Sequence, residues 1–327
     1  PLPPSLVQLP ELTTVDVSNN MLFGSLETFR SPQLEQLLVG NNNFPSMNIV
    51  FSQFPRLTTI DISGNKVGGK LPLDLYRLEN LKVFKAQNCD LEGFLPIPPN
   101  SLTKLEELIL FNNRLKGSLP ATALQTMKNL RILDLSNNRF HGPLPDPLTK
   151  SIETIDLSRN FLSGEIPESY KHLHNLEVAR FEMNKLSGVV PSIFRRMHSL
   201  ELFSVHDNEL TGFQKGFSSG KQTWPKGLDG RSSSKDGLIV LYNNNFDEAV
   251  VEAQTKDDHR LFKTCGTMND FFVAVLRNAG WLSTTGDHFH AAYGQCYAKQ
   301  DARGLLPLQR ASRFPDVDQL SDKGLLT

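Results

Sequence analysis

Apolar and polar residues alternate over short stretches, and the alternation returns at a nearly constant distance. Ile60 and Ile62 flank Asp61, Leu133 and Leu135 flank Asp134, and Ile155 and Leu157 flank Asp156. A period of two predicts a short strand with one face turned inward. Segment 9–26, LPELTTVDVSNNMLFGSL, and segment 127–145, MKNLRILDLSNNRFHGPLP, both fit L-x-x-L-x-x-L-x-L-x-x-N-x-L-x-G-x-L-P. The asparagine after each strand falls at Asn20, Asn42, Asn65, Asn113, Asn138, Asn160, Asn184 and Asn208, with Cys89 in the same slot between the third and fourth; successive steps are 22 to 25 residues. A short polar side chain in that place can satisfy backbone groups of the turn. A unit of this size cannot bury its own apolar face, so the stack of units is what folds.

The residues after the asparagine repeat as well. Leu115-Lys116-Gly117-Ser118-Leu119-Pro120, Leu162-Ser163-Gly164-Glu165-Ile166-Pro167 and Leu186-Ser187-Gly188-Val189-Val190-Pro191 share L-x-G-x-[LIV]-P. Over about residues 2–212 the chain resembles the plant-type leucine-rich repeats of receptor-kinase ectodomains and polygalacturonase-inhibiting proteins. That resemblance implies a second short sheet formed by the L-x-G-x-I-P segments. It also implies a structural role for Cys89, since cysteine is an accepted substitute in the asparagine slot. The implied functions are broad: peptide receptors, inhibitors and scaffolds.

After Gly212 the rhythm stops. Residues 213–237 are rich in Gly, Ser and Lys and read as an inserted polar loop. It then returns, because Ile239, Leu241, Asn244 and Phe246 repeat the arrangement of Val39, Asn42 and Phe44, which makes 238–250 a tenth repeat. Ten strands about 4.8 Å apart give a concave sheet roughly 45 Å long. A C-terminal cap is expected over 251–300. In it, Thr267 with Asp270 suggests a capping box, Phe271, Phe272, Val275 and Leu276 form one apolar stripe, and Gly280 marks a helix end. Such a helix would cover the open apolar end of the stack. Residues 301–327 read as an extended tail. At the other end, Leu2-Pro3 reads as the tail of a preceding repeat, so an earlier start to the protein is expected. The expected fold is thus an α/β solenoid of about ten leucine-rich repeats with a concave parallel sheet and a C-terminal helical cap.

Composition narrows the partners. The net charge of −1 over 327 residues gives no electrostatic reason to expect nucleic acid or an acidic membrane. No apolar run approaches the roughly 18 residues of a membrane span. The sequence has three cysteines and no Asn-x-Ser/Thr site. The compartment stays open: the resemblance points to the cell surface, while few cysteines allow an intracellular assembly.

Catalytic and metal motifs are weak. Gly216-Phe217-Ser218-Ser219-Gly220 matches G-x-S-x-G but sits in the polar loop, not between a strand and a helix. Cys265, His288, His290 and Cys296, with Asp287, contain tetrahedral zinc donors. The cysteines are however 31 residues apart and no C-x-x-C pair is present. A Cys265–Cys296 disulfide in an extracytoplasmic protein and unliganded cap residues are the other readings. No cofactor is expected, and no convergent acid, base and nucleophile marks an enzyme.

The stronger signal lies on the outward positions of the strands. The common arrangement is L-D-L-S, around Asp61, Asp134 and Asp156. Lys85 and Gln87, Ile109 and Phe111, Arg180, Glu182 and Met183, His206, and Tyr242 depart from it. These residues are expected to face solvent on the concave sheet. Ile109 and Phe111 would form an apolar anchor flanked by Lys85 and Arg180. The expected function is binding of another protein or peptide through this face. The alternative is a structural or scaffold subunit held permanently in a larger assembly.

Overall fold

The computed structural model describes residues 9, 11–26, 31–46, 49–214, 238–240 and 244, and the backbone of 289–292 and 295–298. Ten three-residue strands form one parallel sheet in sequence order. They are β1 (Thr14–Asp16), β2 (Gln36–Leu38), β3 (Thr59–Asp61), β4 (Val83–Lys85), β5 (Glu107–Ile109), β6 (Ile132–Asp134), β7 (Thr154–Asp156), β8 (Val178–Arg180), β9 (Leu202–Ser204) and β10 (Leu238–Val240). The register is constant, so equivalent positions line up in columns across the sheet. Lys85 pairs with Ile109, Ile109 with Asp134, Asp134 with Asp156, and Asp156 with Arg180.

Each repeat continues into a second layer. Glu92–Gly93, Arg114–Gly117, Arg139–Gly142, Phe161–Gly164 and Lys185–Leu186 form a five-stranded parallel sheet. The glycine that ends these segments has positive φ at Gly93, Gly117, Gly142, Gly164 and Gly188. At Gly117 an added Cβ would stand 2.6 Å from the Phe94 ring of the preceding repeat. At Gly117 the glycine therefore serves both a left-handed turn and close stacking, whereas at Gly164 nothing stands within 4 Å and the turn alone requires it. Short 3-10 turns such as Leu73–Arg77 and Glu168–His172, and one α-turn at Ala121–Thr126, return the chain to the next strand.

The inward residues form one continuous apolar core. In most repeats both inward positions of the strand are branched aliphatics, such as Leu133 with Leu135. Two repeats trade size between the positions: Phe84 with Ala86, and Ala179 with Phe181, all fully buried. In these two a large ring is matched by a small alanine, which close packing favours. Toward the later repeats Tyr170, Phe181, Phe194 and Phe203 gather. Phe194 stacks on Phe203 at 4.1 Å, and Phe181 meets Phe203 edge-on at 6.4 Å. The Tyr170 hydroxyl is buried here and donates to the Pro145 carbonyl at 3.0 Å, so its polar end is satisfied.

The asparagine column joins the layers. Asn138 Nδ2 donates to Leu110 O of the preceding repeat (3.0 Å) and to Leu135 O and Ser136 O of its own (both 3.1 Å). Its Oδ1 accepts from Leu115 N of the preceding repeat at 3.0 Å. Asn42, Asn65, Asn113, Asn160, Asn184 and Asn208 repeat this arrangement. Asn244, past the inserted segment, donates to Val205 O (3.0 Å) and accepts from Leu210 N (3.1 Å). Cys89 keeps only the donor side: Sγ contacts Ile62 O at 3.2 Å and Gln87 O at 3.4 Å.

The residue before each of these positions through Asn208 is left-handed. Asn19, Asn41, Asn88, Asn112, Asn137, Arg159, Met183 and Asp207 have φ between 50° and 57°. Asparagine tolerates that conformation better than most side chains. Gly212–Phe213 pairs with Val189–Val190, and Gln214 N bonds Val190 O at 2.9 Å, so the ninth repeat reaches into the first residues of the 213–237 segment. The expected helix at 267–280, Cys265 and His288 lie outside the described residues. His290 and Cys296 fall in an antiparallel hairpin, Phe289–Ala292 with Gln295–Ala298, known here by its backbone.

Removing one buried amide from the column should leave several backbone groups unpaired at a cost of about 1–3 kcal/mol each. Asn138→Ala is expected to lower unfolding stability in urea by at least about 3 kcal/mol. Asn129→Ala, whose amide makes one exposed bond to Thr103 O (3.0 Å), should cost under about 1 kcal/mol. Equal midpoints for the two variants would remove the asparagine column from its structural role.

Candidate functional site

Two outward columns of the sheet carry the concave chemistry. In four repeats they are closed on themselves by aspartate and serine. Asp134 Oδ1 accepts from Ser136 N (3.0 Å) and Ser136 Oγ (2.7 Å), and Asp16, Asp61 and Asp156 hold Ser18, Ser63 and Ser158 in the same way. The common L-D-L-S sequence is therefore a local turn lock. A repeat that departs from it frees those positions for something else. The departures are Lys85 and Gln87, Ile109 and Phe111, Arg180 and Glu182, and Ser204 and His206, together with Leu38 and Gly40.

The structure gives these positions distinct roles. Lys85 pairs with Glu107 on β5 at 3.0 Å, both about one-third exposed. A pair this open contributes at most about 1 kcal/mol. Gln87 is half-buried, and its Oε1 is enclosed without a hydrogen-bond partner. Ile109 and Phe111 stand side by side on the face but are half-buried, not prominent. The most exposed apolar side chains among the described residues are elsewhere, at Met21, Leu73 and Phe94.

Around Arg180 the reading needs correction. Arg180 Nη1 lies 3.3 Å from Asp156 Oδ2, and its Nε and Nη2 both donate to Glu182 Oε1. Glu182 is 1% exposed and His206 4%, so neither simply faces solvent. Each side chain is overlain by its neighbours in a column where the strands are less than 5 Å apart. His206 Nδ1 meets Asp207 Oδ2 at 2.6 Å. Met183 is not on the strand at all, since it occupies the left-handed turn position with φ 57°. Tyr242 lies outside the described residues.

Two members of the cluster look like ordinary repeats in the sequence. Asp134 and Asp156 carry the common aspartate, yet both lie in the field of Arg180. Burial pushes the Asp156 carboxyl up to about 6, partly opposed by Arg180 and reinforced by Asp134 and Glu182. Burial raises Asp134 as well, against its bonds to Ser136. An arginine in register with an aspartate of the preceding repeat was the signal that could have found them.

No group of three or more His, Cys, Asp or Glu able to hold a metal occurs among the described residues. No helix among them is long and apolar enough to cross a membrane.

Comparison with known proteins gives the same architecture. A family model described as "Leucine Rich repeats (2 copies)" matches residues 103–149, and one described as "Leucine Rich Repeat" matches 56–78 and 151–173. The chain is 31% identical over 177 residues to Receptor-like protein 13 of Arabidopsis thaliana, covering 51% of this chain and 14% of that protein. It is 28% identical over 174 residues to Receptor-like protein 35 of the same plant, covering 53% and 17%. It thus spans only a small part of the length of these relatives. Among solved structures, the ectodomain of the Arabidopsis receptor kinase GASSHO1/SCHENGEN3, in complex with CASPARIAN STRIP INTEGRITY FACTOR 2, superimposes with a TM-score of 0.61 at 30% identity. That match covers 75% of this chain and 31% of the other. The PEPR1–AtPEP1 structure gives 0.58 at 28% identity, covering 74% and 36%.

The Asp156 shift makes a pH prediction. A carboxyl at about 6 in the fold and near 3.8 when unfolded binds its proton more tightly in the native state. Its contribution therefore falls as pH rises from about 4 through 6. Asp156→Asn keeps an acceptor for Ser158 but has no proton to lose. The stability of the variant relative to wild type should rise across pH 4–6, read from thermal unfolding. A difference that stays flat across that window would contradict the buried, partly compensated carboxylate.

Proposed function

We propose that this chain, a plant-type leucine-rich-repeat protein resembling receptor ectodomains, binds another protein or a peptide through its concave face. The observation that carries the reading is the interruption of the Asp–Ser locks on that face. Where the lock is present, the outward residues satisfy each other. Where it is absent, the face presents Lys85 and Gln87, Ile109 and Phe111, and then Arg180, between β4 and β8. An apolar pair between two polar groups on a rigid sheet has the anatomy of a binding patch with a central anchor. The ten-strand sheet fixes the spacing of these groups, so little ordering is required on binding.

Similarity supports the same class of function. The relatives are receptor-like proteins, and the GASSHO1/SCHENGEN3 and PEPR1 structures are named for complexes with CASPARIAN STRIP INTEGRITY FACTOR 2 and AtPEP1.

Arg180 is a poor choice for a disruptive variant, because reversing its charge would leave three neighbouring carboxylates without their cation. Phe111→Asp changes the anchor without touching that network. Phe161→Asp, on the second sheet, is the control. In a pull-down from the native source, wild type and Phe161→Asp should recover a common partner that Phe111→Asp loses. Recovery of the same proteins by all three would instead favour a structural subunit held by its other faces.

A further inference from the structure

Asp134, Asp156, Arg180 and Glu182 meet on β6, β7 and β8 and at the end of β8. Arg180 bridges Asp156 and Glu182, and Asp134 lies in the field of the same guanidinium. When all four are ionised, two negative charges remain over among them. Glu182 supplies a second, separate observation. Its side chain is 2% exposed. Its Oε1 takes both Arg180 donors, while Oε2 is buried without a hydrogen-bond partner. A carboxylate oxygen enclosed in this way is unfavourable unless a donor completes it.

We infer that this sector is a subsite for a cationic side chain of the partner, a guanidinium or an ammonium. The inference rests on the concave-face reading and adds the chemistry of one contact. The cation enters from the open side of the sheet past the half-buried Asp134, and reaches the enclosed Glu182 Oε2 as the partly exposed Arg180 side chain turns aside. It supplies Glu182 Oε2 with the hydrogen bond it lacks and offsets the surplus charge on Asp134 and Asp156. A neutral donor would meet only the first need. An ammonium with three donors or a guanidinium with five meets both at once.

Geometry also sets where the rest of the partner lies. Phe111 and Glu182 occupy the same column, three strand steps apart, about 14 Å. An extended segment rises about 3.3 Å per residue, so roughly four to five residues separate an apolar side chain on Phe111 from the cation at Glu182.

The test is affinity selection of a random octapeptide library on the immobilised full chain at pH 7.5. Wild type should enrich Lys or Arg four or five residues from an apolar side chain. Asp156→Asn with Glu182→Gln should reduce the cationic enrichment at least tenfold and leave the apolar preference in place. Asp134→Asn, which disturbs none of the Arg180 bonds described above, should reduce it several-fold and guards against a misfolded double variant. Apolar selection without cationic selection, or cationic selection unchanged in the variants, overturns the subsite while leaving the concave face as the contact. Selection of no residue type overturns both.

Discussion

Everything in this fold depends on how a buried turn satisfies its backbone. Each strand of the concave sheet ends in a tight, left-handed corner whose carbonyls point into the stack. No water reaches them, so a side chain must answer them. The asparagine amide does so with two N–H donors shared among three carbonyls, and its oxygen accepts from the repeat before. A single residue type thereby closes its own turn and ties two layers together. The duty does not depend on the length of chain between layers, since Asn244 performs it 36 residues after Asn208.

That constraint also explains what could be read from the chain. The strands, the second sheet and the stack were legible because each inward residue and each asparagine is dictated by the same local geometry in every repeat. Cys89 was legible for the same reason, since its slot is fixed by the residues on either side. The face was legible only as a set of exceptions. Ile109, Phe111 and Arg180 stand out because they replace the Asp–Ser pair. The burial of Glu182 and His206 was not legible, because it is set by side chains a full repeat away. Asp134 and Asp156 were hidden by their resemblance to every other repeat, and Met183 by the one-residue difference between strand end and turn.

A binding face on such a scaffold is assembled by subtraction. The Asp–Ser lock makes most of the sheet chemically self-sufficient, and the surface acquires character only where the lock is lost. The losses differ in kind: apolar residues stand on β5, and on β8 an arginine pairs with the still-locked Asp156 of β7. Rigidity comes from the layers beneath, so the face can carry strained or partly satisfied groups without losing its shape. Arg180 illustrates the balance, as it bridges two carboxylates while its side chain stays one-fifth exposed.

The cysteine at the fourth layer gives the array a grain. Every amide-bearing joint is stitched in both directions, whereas a thiol has no carbonyl oxygen to receive a bond from the layer behind it. There the main chain takes over the acceptor side, since Gly68 N donates to Cys89 O at 2.9 Å. The joint between the third and fourth layers therefore keeps that bond whatever side chain stands at position 89.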